Sequence, residues 1–304
     1  MPLQVPTKYL EKFSFIDDKN RQAMRAMASY LDDEIGLVVQ QLKDSGLWAN
    51  TLVVFHADNG GEIMTQFCGS NNYPLRGGKF SNFEGGIRVN GLVSGGFLPE
   101  GRRGEKENGL IEGADWLATY AAIAGVEGPV TDERAVRAGL PDYDSINQWG
   151  VISGEQGATG REEVVIGDTT AIEFNGDGGT LVAGVISSEG YKILLGAENK
   201  REMISQDVIT GPEYPNSSAP LIYIPELIMK KCGRTPEDGC LYNVFADESE
   251  SVNLASNNPD LFYKMLARVA VLQETVYSPD RGKKTHKACH VAMKENGGFW
   301  GPFL

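Results

Sequence analysis

A carboxylate and an amide stand side by side at Asp58-Asn59, followed directly by Gly60-Gly61. Carboxylate and amide oxygens are the ligands a hard cation such as Ca²⁺ takes. Such an ion collects about six to eight of them, so this pair can form only part of a site. The two glycines permit a sharp turn and a close approach of backbone. A strand-ending turn with no ligand at all is the competing reading of the same residues. Further along come Asn71-Asn72-Tyr73-Pro74-Leu75-Arg76-Gly77-Gly78-Lys79 and then Phe80-Ser81-Asn82-Phe83-Glu84-Gly85-Gly86-Ile87-Arg88. A lysine ammonium on such a glycine-rich loop can reach an anionic oxygen and stabilise charge that builds on it during group transfer. The alternative is that Arg76, Lys79 and Arg88 are occupied in ion pairs with Glu62 or Glu84.

The flanking segments say what must position these groups. Thr51-Leu52-Val53-Val54-Phe55-His56-Ala57 is rich in β-branched and aromatic residues without alternation, which predicts a strand buried on both faces in a parallel sheet, with Asp58 at its carboxyl end. Ligands collect beyond that end in open α/β sheets. Before it, Met24, Met27, Leu31, Ile35, Val38 and Leu42 recur at helical spacing between Asp17 and Lys43, with Asp17 or Asp18 as N-cap and Gly46 past the end. Asp17-Asp18 and Asp32-Asp33 therefore read as a helix cap and a helix face, not as a metal site. After the glycine-rich segments a strand is expected at Ile87–Val93. A helix follows at Asp115–Ala124, with Leu117, Tyr120, Ala121 and Ala124 on one side and Gly125 as its stop, and then a strand at Val164–Ile166.

After about Gly176 the texture changes. Thr180–Ile186 and Tyr191–Leu195 read as strands joined by Ser187-Ser188-Glu189-Gly190, and Leu241–Phe245 as a further strand. Asn258-Pro259 opens a helix whose Leu261, Met265, Val269, Leu272 and Val276 can cover one face of an antiparallel sheet. The expected organisation is an α/β portion over residues 1–175 and a smaller α+β domain over 176–304.

Composition excludes several classes. The chain has 28 Lys+Arg against 41 Asp+Glu, a net charge of −13, with no basic block, which argues against binding nucleic acid through its phosphates. No apolar run reaches the length of a membrane span. Met1-Pro2-Leu3-Gln4-Val5-Pro6 has neither the charged nor the apolar region of a signal peptide. The four cysteines are too few for a disulfide-dense scaffold. Cys232 and Cys240 flank a turn-rich segment and are candidates for a local disulfide, with two buried free thiols as the alternative. His286-Lys287-Ala288-Cys289-His290 contains metal-ligand types, but in a polar tail it reads as solvated. Asn216-Ser217-Ser218 is a glycosylation sequon.

Together, Asp58-Asn59-Gly60-Gly61 and the stretch Asn71–Arg88 resemble the sulfatase family, and within it the arylsulfatase B (N-acetylgalactosamine-4-sulfatase) branch. The likeness continues at Pro2–Leu10, Ser45–Thr51, Ala114–Thr119, Cys240–Glu250 and in the closing Gly298-Phe299-Trp300-Gly301-Pro302-Phe303. The resemblance implies an alkaline-phosphatase/sulfatase-like α/β fold, incomplete here: a sheet flanked by helices, plus a smaller C-terminal α+β domain of antiparallel sheet and helix. It implies hydrolysis of sulfate esters, on sulfated carbohydrate or an aryl sulfate. It makes Asp58 and Asn59 calcium ligands and Lys79 the group that contacts the sulfate. Tyr73 and Phe80 stand where the family signature N-N-W-P-L-R-G-x-K-W has tryptophans, and Arg76, Gly77 and Gly78 read as scaffolding for the lysine.

The family nucleophile is a formylglycine made from the Cys or Ser of C-x-P-x-R or S-x-P-x-R, and no Cys or Ser of this sequence begins that motif. The family's further acidic metal-binding pair and an active-site histidine are not matched either. The chain is therefore expected to be the C-terminal part of such an enzyme, inactive alone and unable to bind Ca²⁺ more tightly than about millimolar, since two oxygen side chains make no high-affinity site. Cys289 is expected to pair with a cysteine of the other part. Lysosomal or secreted placement follows from kinship alone. The alternative is a non-catalytic binding or structural module that keeps the C-terminal fold. A related phosphate- or phosphonate-ester hydrolase would require zinc-ligand histidines, and His56, His286 and His290 lack the spacing.

Overall fold

In the computed structural model the described residues are 3–63, 69–79, 81–168, 181–196, 211, 232–276 and 286–299. Asn216 and Phe80 lie outside them. Helices α1 (Thr7–Lys12) and α2 (Lys19–Asp44) pack as an antiparallel pair at the start of the chain. Asp18 caps α2, its Oδ1 accepting from the Arg21 amide at 2.8 Å, and Gly46 follows the end at φ 71°. Tyr9, Ala23 and Ala26 are buried at the junction, and Tyr9 donates its hydroxyl to Asp33 at 2.8 Å. The expected apolar stripe of α2 is only partly covered: Leu31 and Val38 are 48% and 61% exposed. The buried face is set by small residues that let α1 approach, and the larger apolar side chains fall outside it.

Strand β1 (Val53–His56) pairs antiparallel with β2 (Gly91–Ser94), Val53 opposite Ser94 and His56 opposite Gly91. This corrects the parallel arrangement expected from the unbroken apolar run, since β1 is half-buried and not enclosed on both faces. The expected strand at Ile87–Val93 begins late because residues Glu84–Ile87 form a helical turn, α3, in which Gly85 and Gly86 pack closely on neighbouring carbonyls. Helices α4 (Asp115–Ile123), α5 (Glu133–Arg137) and α6 (Trp149–Ser153) follow. In α4 the inward residues are Asp115 and Thr119, both 0% exposed, whereas Leu117 and Tyr120 are each 46% exposed. The apolar face expected to be buried is thus the outer one, because Asp115 is held inward by a buried arginine.

Strands β3 (Glu163–Asp168), β4 (Leu181–Ser187), β5 (Tyr191–Leu194) and β6 (Cys240–Asn243) form an antiparallel sheet in sequential order. β3, expected with the α/β portion, pairs along β4 and completes this sheet's edge. Both faces are covered. On one, α7 (Pro259–Glu274) lays Phe262, Met265 and Val269 on Val185, Ile193 and Leu241, with Leu261, Leu272 and Val276 flanking. On the other, Phe83 and Ile87 pack on Ile166, Ile186, Leu194 and Tyr242. Cys232 and Cys240 form a disulfide within this second cluster. A last helix, α8 (His286–Lys294), carries the exposed free Cys289, so the segment read as a solvated tail is helical. Among the described residues no helix is long and apolar enough to cross a membrane.

Candidate functional site

The turn after β1 is held by backbone bonds and by the side chain of Asn72. Gly60 donates its amide to Gly86 O at 2.8 Å, and Lys79 donates its amide to Gly61 O at 3.1 Å. Asn72 bridges the two segments: its Oδ1 accepts from the Gly61 amide at 2.9 Å, and its Nδ2 donates to Gly61 O at 2.8 Å and Gly77 O at 3.1 Å. A Cβ on Gly60 would land on the Gly85 carbonyl, one on Gly85 on the carbonyls of Gly77 and Arg76, and one on Gly86 on those of Ser81 and Gly78. Three glycine pairs thus interlock by main-chain contact. The glycines at 60 and 61 serve close approach, and neither has a positive φ.

Asp58 is exposed and accepts the Asn59 amide on Oδ1 at 2.9 Å, while Asn59 donates Nδ2 to Gly60 O at 2.8 Å, so the Asn59 oxygen keeps its lone pairs for a ligand. Asp58, Asn59 and Lys79 line one open cleft of about 850 Å³. Arg21 and Arg25 of α2, Glu62, Arg88 and Glu248 line it too. Arg88 faces Glu248 at 3.9 Å, not Glu62 or Glu84 as the ion-pair alternative had it. No group of three or more His, Cys, Asp or Glu that could hold a metal occurs among the described residues.

The lysine loop is braced from the C-terminal sheet. The Arg76 guanidinium lies 4.2 Å from the Phe83 ring centre and donates to Glu250 O at 2.6 Å. Glu250 occupies the left-handed region at φ 50°, a strained setting for a residue with a side chain. Three partners hold it there. Its Oε2 accepts from the Glu84 amide at 2.6 Å, its Oε1 meets Lys192 Nζ at 2.8 Å, and its carbonyl takes Arg76. Lys192 also donates to Glu84 Oε1 at 2.9 Å, and Lys192 and Glu250 are fully buried. Burial pushes the Glu250 carboxyl above the ordinary range, with Lys192 opposing that rise.

The model of the family described as Sulfatase matches residues 1–126. Over this stretch the chain is similar to that family. The stretch contains every cleft residue named above except Glu248. Arylsulfatase J of Mus musculus is 28% identical over 99% of the chain, which spans 48% of that relative. Arylsulfatase A of Homo sapiens is 34% identical over 38% of the chain, covering 22% of the relative. The chain therefore spans about half the length, or less, of these curated relatives. Among solved structures, that described as Ps i-CgsB in complex with k-i-k-neocarrahexaose superposes with a TM-score of 0.64 at 21% identity, over 98% of this chain and 53% of its own. PsFucS1 sulfatase from Pseudoalteromonas sp. gives 0.57 at 21%, over 85% and 44%. The fold is accordingly sulfatase-like α/β with a C-terminal sheet.

Two buried ionic groups were not singled out from the sequence. Lys192 sits in a strand where alternation reads it as solvent-facing. Arg161, 8% exposed, grips the fully buried Asp115 through Nε at 2.9 Å and through Nη2, and pairs with Glu112 at 3.0 Å. Burial raises the Asp115 pKa, but hydrogen bonds from Arg161 and from the Glu112 and Ile146 amides outweigh it and hold the carboxyl below its ordinary range. A charged residue opening an otherwise apolar helix was the available signal.

Proposed function

We propose that this chain is the C-terminal part of an arylsulfatase B-like sulfuric ester hydrolase acting on sulfated carbohydrate. The observation that carries the reading is the meeting of Asp58, Asn59 and Lys79 in one cleft. Asp58 and Asn59 offer the oxygens a hard cation takes, and they fit Ca²⁺ as a partial ligand set. When bound, the ion would supply Lewis-acid stabilisation of negative sulfate oxygens. Lys79 would donate from Nζ to a non-bridging sulfate oxygen and stabilise the charge that develops as the S–O bond to the alcohol breaks. The net change is sulfate ester plus water to alcohol plus hydrogen sulfate. The nucleophile, a formylglycine by family resemblance, and the remaining ion ligands would come from sequence not present here.

Relatives support the carbohydrate assignment. They include N-acetylgalactosamine-6-sulfatase of Sus scrofa, 32% identical over 35% of the chain and covering 20% of that protein. The Cys232–Cys240 disulfide supports an oxidising compartment, lysosomal or secreted.

The test joins the chain to an upstream segment supplying C-x-P-x-R and follows a chromogenic aryl sulfate. Lys79→Ala should lower turnover by about a hundredfold, the usual loss for one preorganised donor. Unchanged turnover would remove Lys79 from the site. Absence of turnover in the joined parent protein would favour a binding module. By calorimetry the chain alone should bind Ca²⁺ at about millimolar, and micromolar binding would show that the ligand set is misassigned.

A further inference from the structure

Helix α2 lines part of the same cleft as the Asp58–Lys79 turn, and its contribution includes two arginines. Arg21 and Arg25 stand one helical turn apart, and both line the cleft with Asp58, Asn59 and Lys79. Like charges at this spacing oppose helix formation. Their mutual field is felt: after burial, the charge of Arg25 is the next largest influence lowering the Arg21 pKa. Arg21 is anchored, donating Nη1 to Gly69 O at 2.9 Å, while Arg25 is exposed and has no ion pair among the described residues. Asp18, the carboxylate nearest Arg21 in sequence, caps the helix and its charge partly opposes the lowering of the Arg21 pKa. The cleft's other arginine, Arg88, has Glu248 beside it.

A planar guanidinium matches sulfate and carboxylate oxygens in a two-point contact, and two of them a turn apart can share one anionic group. We propose that Arg25, seconded by Arg21, is a specificity-determining residue that takes a second anionic group, sulfate or carboxylate, of a glycan whose reacting sulfate lies at Lys79. The inference rests on the sulfatase reading above and adds a substrate class to it: glycans bearing at least two anionic groups on neighbouring sugars.

The experiment titrates the 304-residue chain with three disaccharides, one carrying a single sulfate, one two sulfates, and one a sulfate and a uronate. Arg25→Gln should weaken the doubly anionic ligands by about tenfold, the usual loss for one charge-assisted hydrogen bond, and leave the singly sulfated one nearly unchanged. Loss for the disulfated ligand alone, or for the uronate ligand alone, names which anion is read. Arg25→Lys should recover part of the affinity, and Lys264→Gln, on the exposed side of α7, should change nothing. Lys79→Ala should weaken all three ligands. Equal effects of Arg25→Gln on all three, or none, overturn the second-anion site while the Lys79 result keeps the sulfatase reading. Failure of both the 304-residue chain and the protein joined to its upstream segment to bind any of them overturns both.

Discussion

Replacing Lys192 with Met is expected to cost about 3–5 kcal/mol of stability at neutral pH, the penalty for stranding buried charge by deleting one partner. Met conserves the volume and fits the strand, so packing around Ile186 and Tyr242, the cross-strand neighbours of Lys192, is preserved. What is lost is the ammonium lying 2.9 Å from Glu84 and 2.8 Å from Glu250. Both carboxylates are almost completely buried, and neither can reach water without opening the face of the sheet. Burial already raises the Glu250 pKa, and the substitution deletes what opposes that rise. A carboxyl whose folded pKa lies above its unfolded value loses stability as pH climbs through that interval. The deficit of the variant should therefore be large at neutral pH and shrink on mild acidification, as urea unfolding at the two pH values would show. An equal deficit at both would mean that the three groups do not share charge as the geometry says.

Arg161→Met should be comparably severe, at about 3–5 kcal/mol, by the same stranding of a buried carboxylate. Arg161 does more than neutralise Asp115. It also donates to the Asp144 carbonyl at 2.7 Å and the Glu163 carbonyl at 3.3 Å, so it ties the start of α4, the segment before α6 and the first strand of the large sheet into one knot. Asp115 for its part accepts from the Glu112 and Ile146 amides, each at 2.9 Å, and from Gln148 Nε2 at 3.1 Å. In the parent the depressed Asp115 pKa contributes stability above the ordinary carboxylate range, and this is lost as pH falls through the native value. With the guanidinium gone, desolvation is opposed only by the remaining hydrogen bonds and the stabilising contribution shrinks, so the gap between parent and variant should close toward acid pH. Asp115→Asn, which keeps the shape but withdraws charge from Arg161, should lower the urea midpoint as well. A parent-like midpoint for either variant would refute the arrangement.

Much of the scaffold was legible because local and tertiary demands coincide. Pro259 after Asn258, with apolar residues at helical spacing, marks α7 and the face it lays on the sheet. The Ser187–Gly190 turn marks the β4–β5 hairpin, with Gly190 at φ 82°. Illegible parts are those where a distant partner decides. Val53–Phe55 has the composition of a doubly buried strand, yet its ladder partner among the described residues is antiparallel and its burial partial. Leu117 and Tyr120 look like a core face until Arg161 turns Asp115 inward. At the cleft, type and spacing alone left Asp58, Asn59 and Lys79 open to a plain structural reading and the family resemblance supplied their proposed roles, whereas no sequence signal marks Arg21 or Arg25. Nothing in their local sequence indicates that α2 runs alongside the turn.

The interlocked glycines at 60, 77, 78, 85 and 86 hold the turn that lines the cleft largely by carbonyls and amides, which every amino acid carries alike, with the Asn72 side chain added. Cleft side chains other than Asn72 can consequently vary without disturbing that turn, and a directed-evolution library confined to Arg25, Tyr73 and Glu248 should retain folded clones at high frequency, whereas one opened at Gly60 or Gly85 should return glycine almost alone.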